Sequence, residues 1–129
     1  MSLDMYQEQV LDHYKRPRNF GELPGATATA RDVNPLCGDE VTMHLKVEDG
    51  RVADVRFQGR GCTISTASAS MLTAWVKGKT VEEALVIDRA LMEKMLGIPV
   101  GASRVKCLML GPHVLRLALG KGEKGHLEG

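Results

Sequence analysis

Strict alternation of apolar and polar residues constrains the fold of this chain more than any other feature. The period of two predicts a half-buried strand, and its apolar positions are Val41, Met43, Leu45 and Val47. Asp49-Gly50 follows as a strong hairpin turn signal. A second strand is then predicted, with Ala53, Val55 and Phe57 on its apolar face. The sequence therefore predicts an antiparallel hairpin with one buried face.

Helical periodicity flanks this hairpin on both sides. A first helix is predicted over about residues 3–14, and a second carries an apolar stripe from Ile64 to Val76 and ends at Gly78. A capping box at residues 80–83 (TVEE) begins a helical pattern that continues to Leu96. A further strand is predicted over residues 27–33.

The last helix runs through residues 114–119, and its start near Cys107 is left open. Pro112 is expected to be tolerated in a first helical turn but not in the middle of a helix. Together the segments predict an α+β fold, a small antiparallel β-sheet packed against helices on one side.

Size and composition fit one domain spanning residues 1–129. The chain has 129 residues, of which 43% are hydrophobic and 26% charged, as in ordinary globular proteins. A net charge of +1 gives no reason to expect nucleic acid or an acidic membrane as partner. The N-terminal residues lack the basic and apolar regions of a signal peptide, and no apolar run reaches transmembrane length. We therefore expect a cytoplasmic protein.

The three cysteines all fall at predicted element edges. Cys37 precedes the Val41 strand, Cys62 follows a Gly-Arg-Gly turn and opens a helix, and Cys107 lies before the last helix. A helix N-terminus favours negative charge and hence the thiolate that binds metal or attacks sulfur. An odd number of cysteines does not indicate a disulfide framework in a cytosolic chain.

Three thiolates together with Asp39 supply four ligands, the tetrahedral number for zinc, and thiolates also suit iron–sulfur clusters. The spacing between the cysteines matches no standard zinc-finger pattern. By spacing, a shared site and three unrelated buried thiols both remain open. His44 falls on the polar face of its strand, which favours a solvated side chain over a metal ligand.

Several longer motifs occur in the order of a known family. They are residues 11–21 (LDHYKRPRNFG), 34–39 (NPLCGD), 59–65 (GRGCTIS), 75–80 (WVKGKT) and 104–107 (RVKC). By these motifs the sequence resembles the NifU/IscU-like iron–sulfur cluster assembly proteins and is most similar to the SufU branch. The resemblance implies the SufE/NifU-like, IscU-type fold.

The resemblance also implies the site and its partners. Cys37, Asp39, Cys62 and Cys107 would lie at one end of the molecule and bind Zn²⁺ or a transient [2Fe–2S] cluster. A cysteine desulfurase would deliver sulfur as a persulfide, and downstream assembly or apo acceptor proteins would receive the product. We expect a monomer or a weak dimer.

Three functions follow as hypotheses. In zinc-dependent sulfur transfer the acceptor is Cys37 in a SufU-like mode and Cys107 in an IscU-like mode. The alternative is a scaffold on which a [2Fe–2S] cluster is built and handed over. The third is a zinc-stabilised binding module without chemistry.

Departures from the motifs leave the branch open. Lys106 stands where IscU-type members carry a histidine, which favours the SufU branch and removes a nitrogen ligand. Residues 98–101 (IPVG) do not match the IscU-type LPPVK chaperone-recognition segment. The stretch between Cys62 and Cys107 is shorter than is typical of the SufU branch.

Overall fold

The structure, a computed structural model, describes residues 3–35 and 38–120. Cys37 therefore lies outside the described residues. In chain order the elements are α1 (Leu3–Lys15), β1 (Ala28–Asn34), β2 (Asp39–Glu48), β3 (Arg51–Arg60), α2 (Thr63–Val76), α3 (Val81–Ala84), α4 (Arg89–Leu96), a 3-10 turn (Ala102–Arg104) and α5 (Val105–Ala118). Among these helices none is long and apolar enough to cross a membrane.

The predicted hairpin forms the centre of the sheet. The strand order is β1-β2-β3, and both pairings are antiparallel. Val41, Met43 and Leu45 are at most 2% exposed, so alternate β2 residues form the buried face as predicted. Helices α2 and α5 pack on this face. The expected α+β fold is thus confirmed.

The prediction for the apolar face of β3 was wrong at Ala53. Val52 is fully buried and Ala53 is exposed, although Val55 and Phe57 are buried as predicted. The cause is a register shift in the ladder, where Lys46 pairs with Asp54 but Val47 pairs with Val52. Because the shift skips Ala53, the alternation between faces changes phase at that residue.

Helix α2 is the central helix of the molecule. Nine of its residues are buried, including Ala67, Leu72 and Val76. It packs against α1, α4, α5 and β3, which explains why residues outside its apolar stripe are also buried. Ser70 is one of these, and its Oγ lies 2.7 Å from His13 Nδ1 and accepts a hydrogen bond from Arg18 N at 2.8 Å. Hydrogen bonds to Ser70 therefore hold the motif of residues 11–21 against α2.

The predicted third helix is divided in the structure. The Thr80 capping box is present in both directions, with Glu83 N donating to Thr80 Oγ1 and Thr80 N donating to Glu83 Oε1. The helix it begins ends after one turn, and a second N-cap at Asp88 begins α4. Between the two helices Ile87 is fully buried.

The expectation for Pro112 was also wrong. Pro112 lies inside α5, which runs from Val105 to Ala118. The helix continues without the backbone donor of Pro112, because Leu108, Leu110, Val114 and Leu115 are all fully buried on it. Tertiary packing of this apolar face outweighs the local cost of proline.

Candidate metal centre

Asp39 enters the site as the first residue of β2. It continues the buried face of that strand and is 1% exposed. Just before it, Gly38 has a φ of 72° and donates its N–H to Asn34 O at 2.8 Å, which closes the turn between β1 and β2. That left-handed conformation is the reason for glycine at this position. Asn34 and Asp39 pair across the two strands, and Cys37 lies between them in the sequence.

Cys62 is the N-cap residue of α2, as the sequence predicted for a helix-opening cysteine. Its Sγ accepts a hydrogen bond from Ser65 N at 3.5 Å. Its own backbone N donates to Asp39 Oδ1 at 3.0 Å, and its Sγ lies 3.8 Å from Asp39 Oδ2. The cap and the carboxylate together fix the direction of the thiol.

Gly61 follows β3 and leaves room for the Asp39 carboxylate to lie close to the backbone. A Cβ at this position would lie 2.4 Å from Asp39 Oδ1 and 2.7 Å from Ser65 Oγ. Real Cβ atoms do not come so close to a buried carboxylate oxygen. The glycine before Cys62 is therefore required by the geometry of the site.

Cys107 is the third residue of α5 and is 1% exposed. Burial raises the pKa of this thiol above its ordinary value, and the nearby Asp39 and Cys62 raise the pKa further. This differs from the expectation that a helix start would favour its thiolate, because burial next to like charge outweighs the helix dipole. A bound cation would reverse that preference and release the proton.

The structure brings Asp39, Cys62 and Cys107 together. One ligand atom from each lies within 4.8 Å of the others. They share an open cleft of about 380 Å³ whose lining residues are Asp39, Gly61, Cys62, Ser103, Arg104 and Cys107. Two thiols and a carboxylate converging in this way are a donor set that fits zinc, which takes sulfur and oxygen ligands in tetrahedral sites. They would supply three of four ligands.

The cleft also contains residues that the sequence analysis did not single out. Ser103 and Arg104 line it, whereas Lys106 is not among its described lining residues. Arg104 is exposed and stands three residues before Cys107, at the start of α5. Because the sequence left the start of the last helix open, it did not indicate that Arg104 would line the same cleft as Cys107.

The remaining candidate residues lie elsewhere. His44 Nε2 is 2.9 Å from Gln58 Oε1 on the polar side of the sheet, in agreement with its predicted face. His113, which carried no sequence signal, pairs with Asp32 at 2.9 Å.

The chain is similar to proteins of one family along most of its length. Residues 5–126 match the family described as NifU-like N terminal domain. The iron-sulfur cluster assembly scaffold protein IscU 1 of Archaeoglobus fulgidus is 41% identical over 116 residues, which cover 89% of this chain and 74% of the relative. The zinc-dependent sulfurtransferase SufU of Bacillus subtilis is 34% identical over 139 residues, which cover 95% of this chain and 94% of the relative.

A solved structure shares the fold. The crystal structure of a nitrogen-fixing NifU-like protein (N-terminal) from Brucella abortus superimposes with a TM-score of 0.74 at 25% identity, covering 92% of this chain and 94% of that one. Since the family match extends over residues 5–126 and the relatives share its architecture, this chain belongs to the NifU-like N-terminal domain family.

Proposed function

We propose that this protein acts in iron–sulfur cluster assembly and accepts sulfur from a cysteine desulfurase at the cleft of Asp39, Cys62 and Cys107. The observation that carries the proposal is the approach of their ligand atoms to within 4.8 Å in an open cleft. A closed structural zinc site would leave no access for a sulfur donor. The relatives named as scaffold and zinc-dependent sulfurtransferase support the same chemistry.

We assign the metal ligands to Cys37, Asp39, Cys62 and Cys107, with Zn²⁺ as the resident ion. Cys37 stands two residues before Asp39 in the sequence, so a short chain connects it to the cleft. When bound, zinc would hold the cysteines as thiolates at neutral pH.

The acceptor is assigned to Cys37. Its thiolate attacks the outer sulfur of the donor persulfide, a new S–S bond forms on Cys37 Sγ, and the donor S–S bond breaks. The donor cysteine leaves as a thiolate, so no oxidant or reductant is needed. Cys107 is the acceptor in the IscU-like alternative, but its side chain is only 1% exposed to an incoming donor.

Arg104 supports the transfer of an anionic sulfur species. It is the positively charged side chain among the described residues that line the cleft. Its guanidinium would offset the negative charge of an arriving persulfide beside Asp39. Charge neutralisation by Arg104→Gln is expected to slow transfer more than Lys106→Gln, the matched control two residues away.

The test is the turnover of a cysteine desulfurase from the same organism, with and without this protein. We expect stimulation by the wild type, none by Cys37→Ala, and normal stimulation by His44→Ala, whose side chain lies on the polar side of the sheet. Undiminished stimulation by Cys37→Ala would remove the acceptor role. Zinc content should be about one equivalent per chain, and a larger value would contradict a single shared site.

A scaffold for a [2Fe–2S] cluster is the second candidate, and the relative from Archaeoglobus fulgidus, 41% identical to this chain, is named as such a scaffold. An Asp39 oxygen ligand among thiolates would also make a cluster labile, as release requires.

Anaerobic reconstitution with iron and sulfide distinguishes the two candidates. A scaffold would develop the visible absorption of a [2Fe–2S] cluster and would pass that cluster to an apo acceptor protein. Tight zinc that iron cannot displace would contradict the scaffold function.

The proposed function also implies the domain organisation, the location and the partners of the protein. We propose one domain over residues 1–129, a cytoplasmic location, and cysteine desulfurase and apo acceptor proteins as partners. The family match over residues 5–126 supports the single domain.

A further inference from the structure

A buried polar pair joins β1 to α5 near the metal centre. His113 Nε2 lies 2.9 Å from Asp32 Oδ2, and the two side chains are 15% and 9% exposed. Neither residue belongs to the group of ligand atoms formed by Asp39, Cys62 and Cys107. A polar pair in such a position lowers stability unless its hydrogen bonds are made, so its position needs a reason.

Asp32 lies on β1, the strand that pairs with the start of β2 at Asp39. It shares the buried face of β1 with Ala28, Ala30 and Asn34, so a carboxylate interrupts an otherwise uncharged row. Two residues later Asn34 pairs with Asp39 and accepts the hydrogen bond from Gly38 that closes the turn. A displacement of Asp32 would therefore move the base of this turn.

His113 lies on the helix that carries Cys107. The two residues are six positions apart on α5, and α5 packs directly on β1 and β2. Much of the surface of α5 is apolar and buried, and apolar contacts do not fix direction. A hydrogen bond with defined geometry between Asp32 and His113 can set the position of α5 along β1.

We infer that the Asp32–His113 hydrogen bond positions the metal centre by setting the separation between Asp39 and Cys107. This inference rests on the proposed zinc site. Metal sites require ligands to be held within about half an ångström of the productive geometry. Residues that hold ligands in place typically change metal affinity by about 10- to 100-fold when removed.

The experiment measures zinc affinity by competition with a chelator on the full chain. Asp32→Ala and His113→Ala are each expected to weaken zinc binding about 10- to 100-fold. The double variant should be no weaker than the single variants, because both changes remove one interaction. Asp32→Asn and His113→Gln, which keep hydrogen-bonding groups, should recover part of the affinity and serve if an alanine variant fails to fold.

Cobalt substitution gives a readout that stability alone would not move. The visible spectrum of the Co²⁺ form reports the coordination geometry, and we expect it to change in the Asp32→Ala and His113→Ala proteins. His44→Ala is the matched control, since it removes a histidine hydrogen bond of 2.9 Å on the polar side of the sheet. It should leave both zinc affinity and the Co²⁺ spectrum unchanged.

Three outcomes would overturn the inference. One is a lowered melting temperature with unchanged zinc affinity and spectrum, which would make the pair purely structural. Another is additive losses in the double variant, and the third is an equal loss in the His44→Ala protein. If the wild type itself binds no zinc, the proposed metal site fails as well; if it binds zinc and the variants bind it equally, only the inference fails.

Discussion

At Gly61 the site has no room for one additional carbon atom. A Cβ at this position would overlap the Asp39 carboxylate, which is itself 1% exposed and cannot move into solvent. The sequence showed this glycine only as part of a turn before Cys62. Its role depends on Asp39, which β2 places next to it in the folded protein.

Gly61→Ala is therefore expected to lower the zinc content of the purified protein well below that of the wild type. The added methyl group would displace Asp39 Oδ1 from its 3.0 Å hydrogen bond with Cys62 N. Metal analysis of the purified chain measures the effect. Gly101→Ala is the matched control because a Cβ there meets nothing within 4 Å, and an equal loss of zinc in it would contradict the explanation.

His13 makes stability depend on pH. Partial burial lowers the pKa of His13 from its ordinary value of 6.5, and the charge of Arg18 lowers it further. Because the folded pKa lies below the unfolded one, the unfolded chain binds more protons between them. The stability that His13 contributes is complete above the unfolded pKa and is lost as pH falls through the folded value.

Urea unfolding of the metal-free protein at about pH 7.5 and about pH 5.5 tests this dependence. We expect the loss of stability on acidification to be smaller in His13→Gln than in the wild type. Glutamine retains a group that can pair with Ser70 Oγ but does not titrate in this range. An equal loss in both proteins would assign the dependence to other groups.

At the scale of elements, caps and register explain where the chain departs from its local patterns. The capping box at Thr80 was read correctly, but the pattern of apolar residues beyond it did not reveal that a second cap at Asp88 begins a separate helix. Both caps were visible as residue types. Only the burial of Ile87 between them decides that the chain turns there.

Thr80→Ala is expected to lower the free energy of unfolding by about 1 kcal/mol, since it removes the side-chain acceptor for Glu83 N. Urea unfolding measures the change. Glu82→Ala in the same turn is the control and should cost less, because no side-chain cap depends on it among the described residues. A cost equal to that of Thr80→Ala would mean that the cap contributes nothing specific.

For the whole molecule, the candidate centre joins elements that are distant in sequence. Asp39 belongs to β2, Cys62 to the start of α2 and Cys107 to α5, and all three elements pack on one hydrophobic core. The core cluster consists of hydrophobic residues and, among the described residues, does not include Asp39, Cys62 or Cys107. We therefore expect the fold to form without a bound metal.

Removal of zinc by a chelator is expected to lower the melting temperature while leaving a cooperative transition and native far-UV circular dichroism. At zinc about 100-fold above its dissociation constant the linkage contributes about 2.7 kcal/mol. Calorimetry with and without chelator measures the shift. Complete unfolding of the metal-free chain would instead favour the zinc-stabilised module without chemistry.

The sequence by itself determined the hairpin, the capping box at Thr80 and the residue types of the site, because these follow from local periodicity and chain chemistry. Motif likeness then grouped Cys37, Asp39, Cys62 and Cys107, and the structure brings the last three together. The burial of Val52 in place of Ala53 and the position of Pro112 inside α5 needed tertiary structure. Tertiary structure also decided that Arg104 lines the cleft with Asp39 and Cys62. It likewise decided the contact between Asp32 and His113, which are far apart in the chain. Local patterns indicate whether a residue prefers a buried or an exposed face, whereas strand register and packing decide which residues that face contacts.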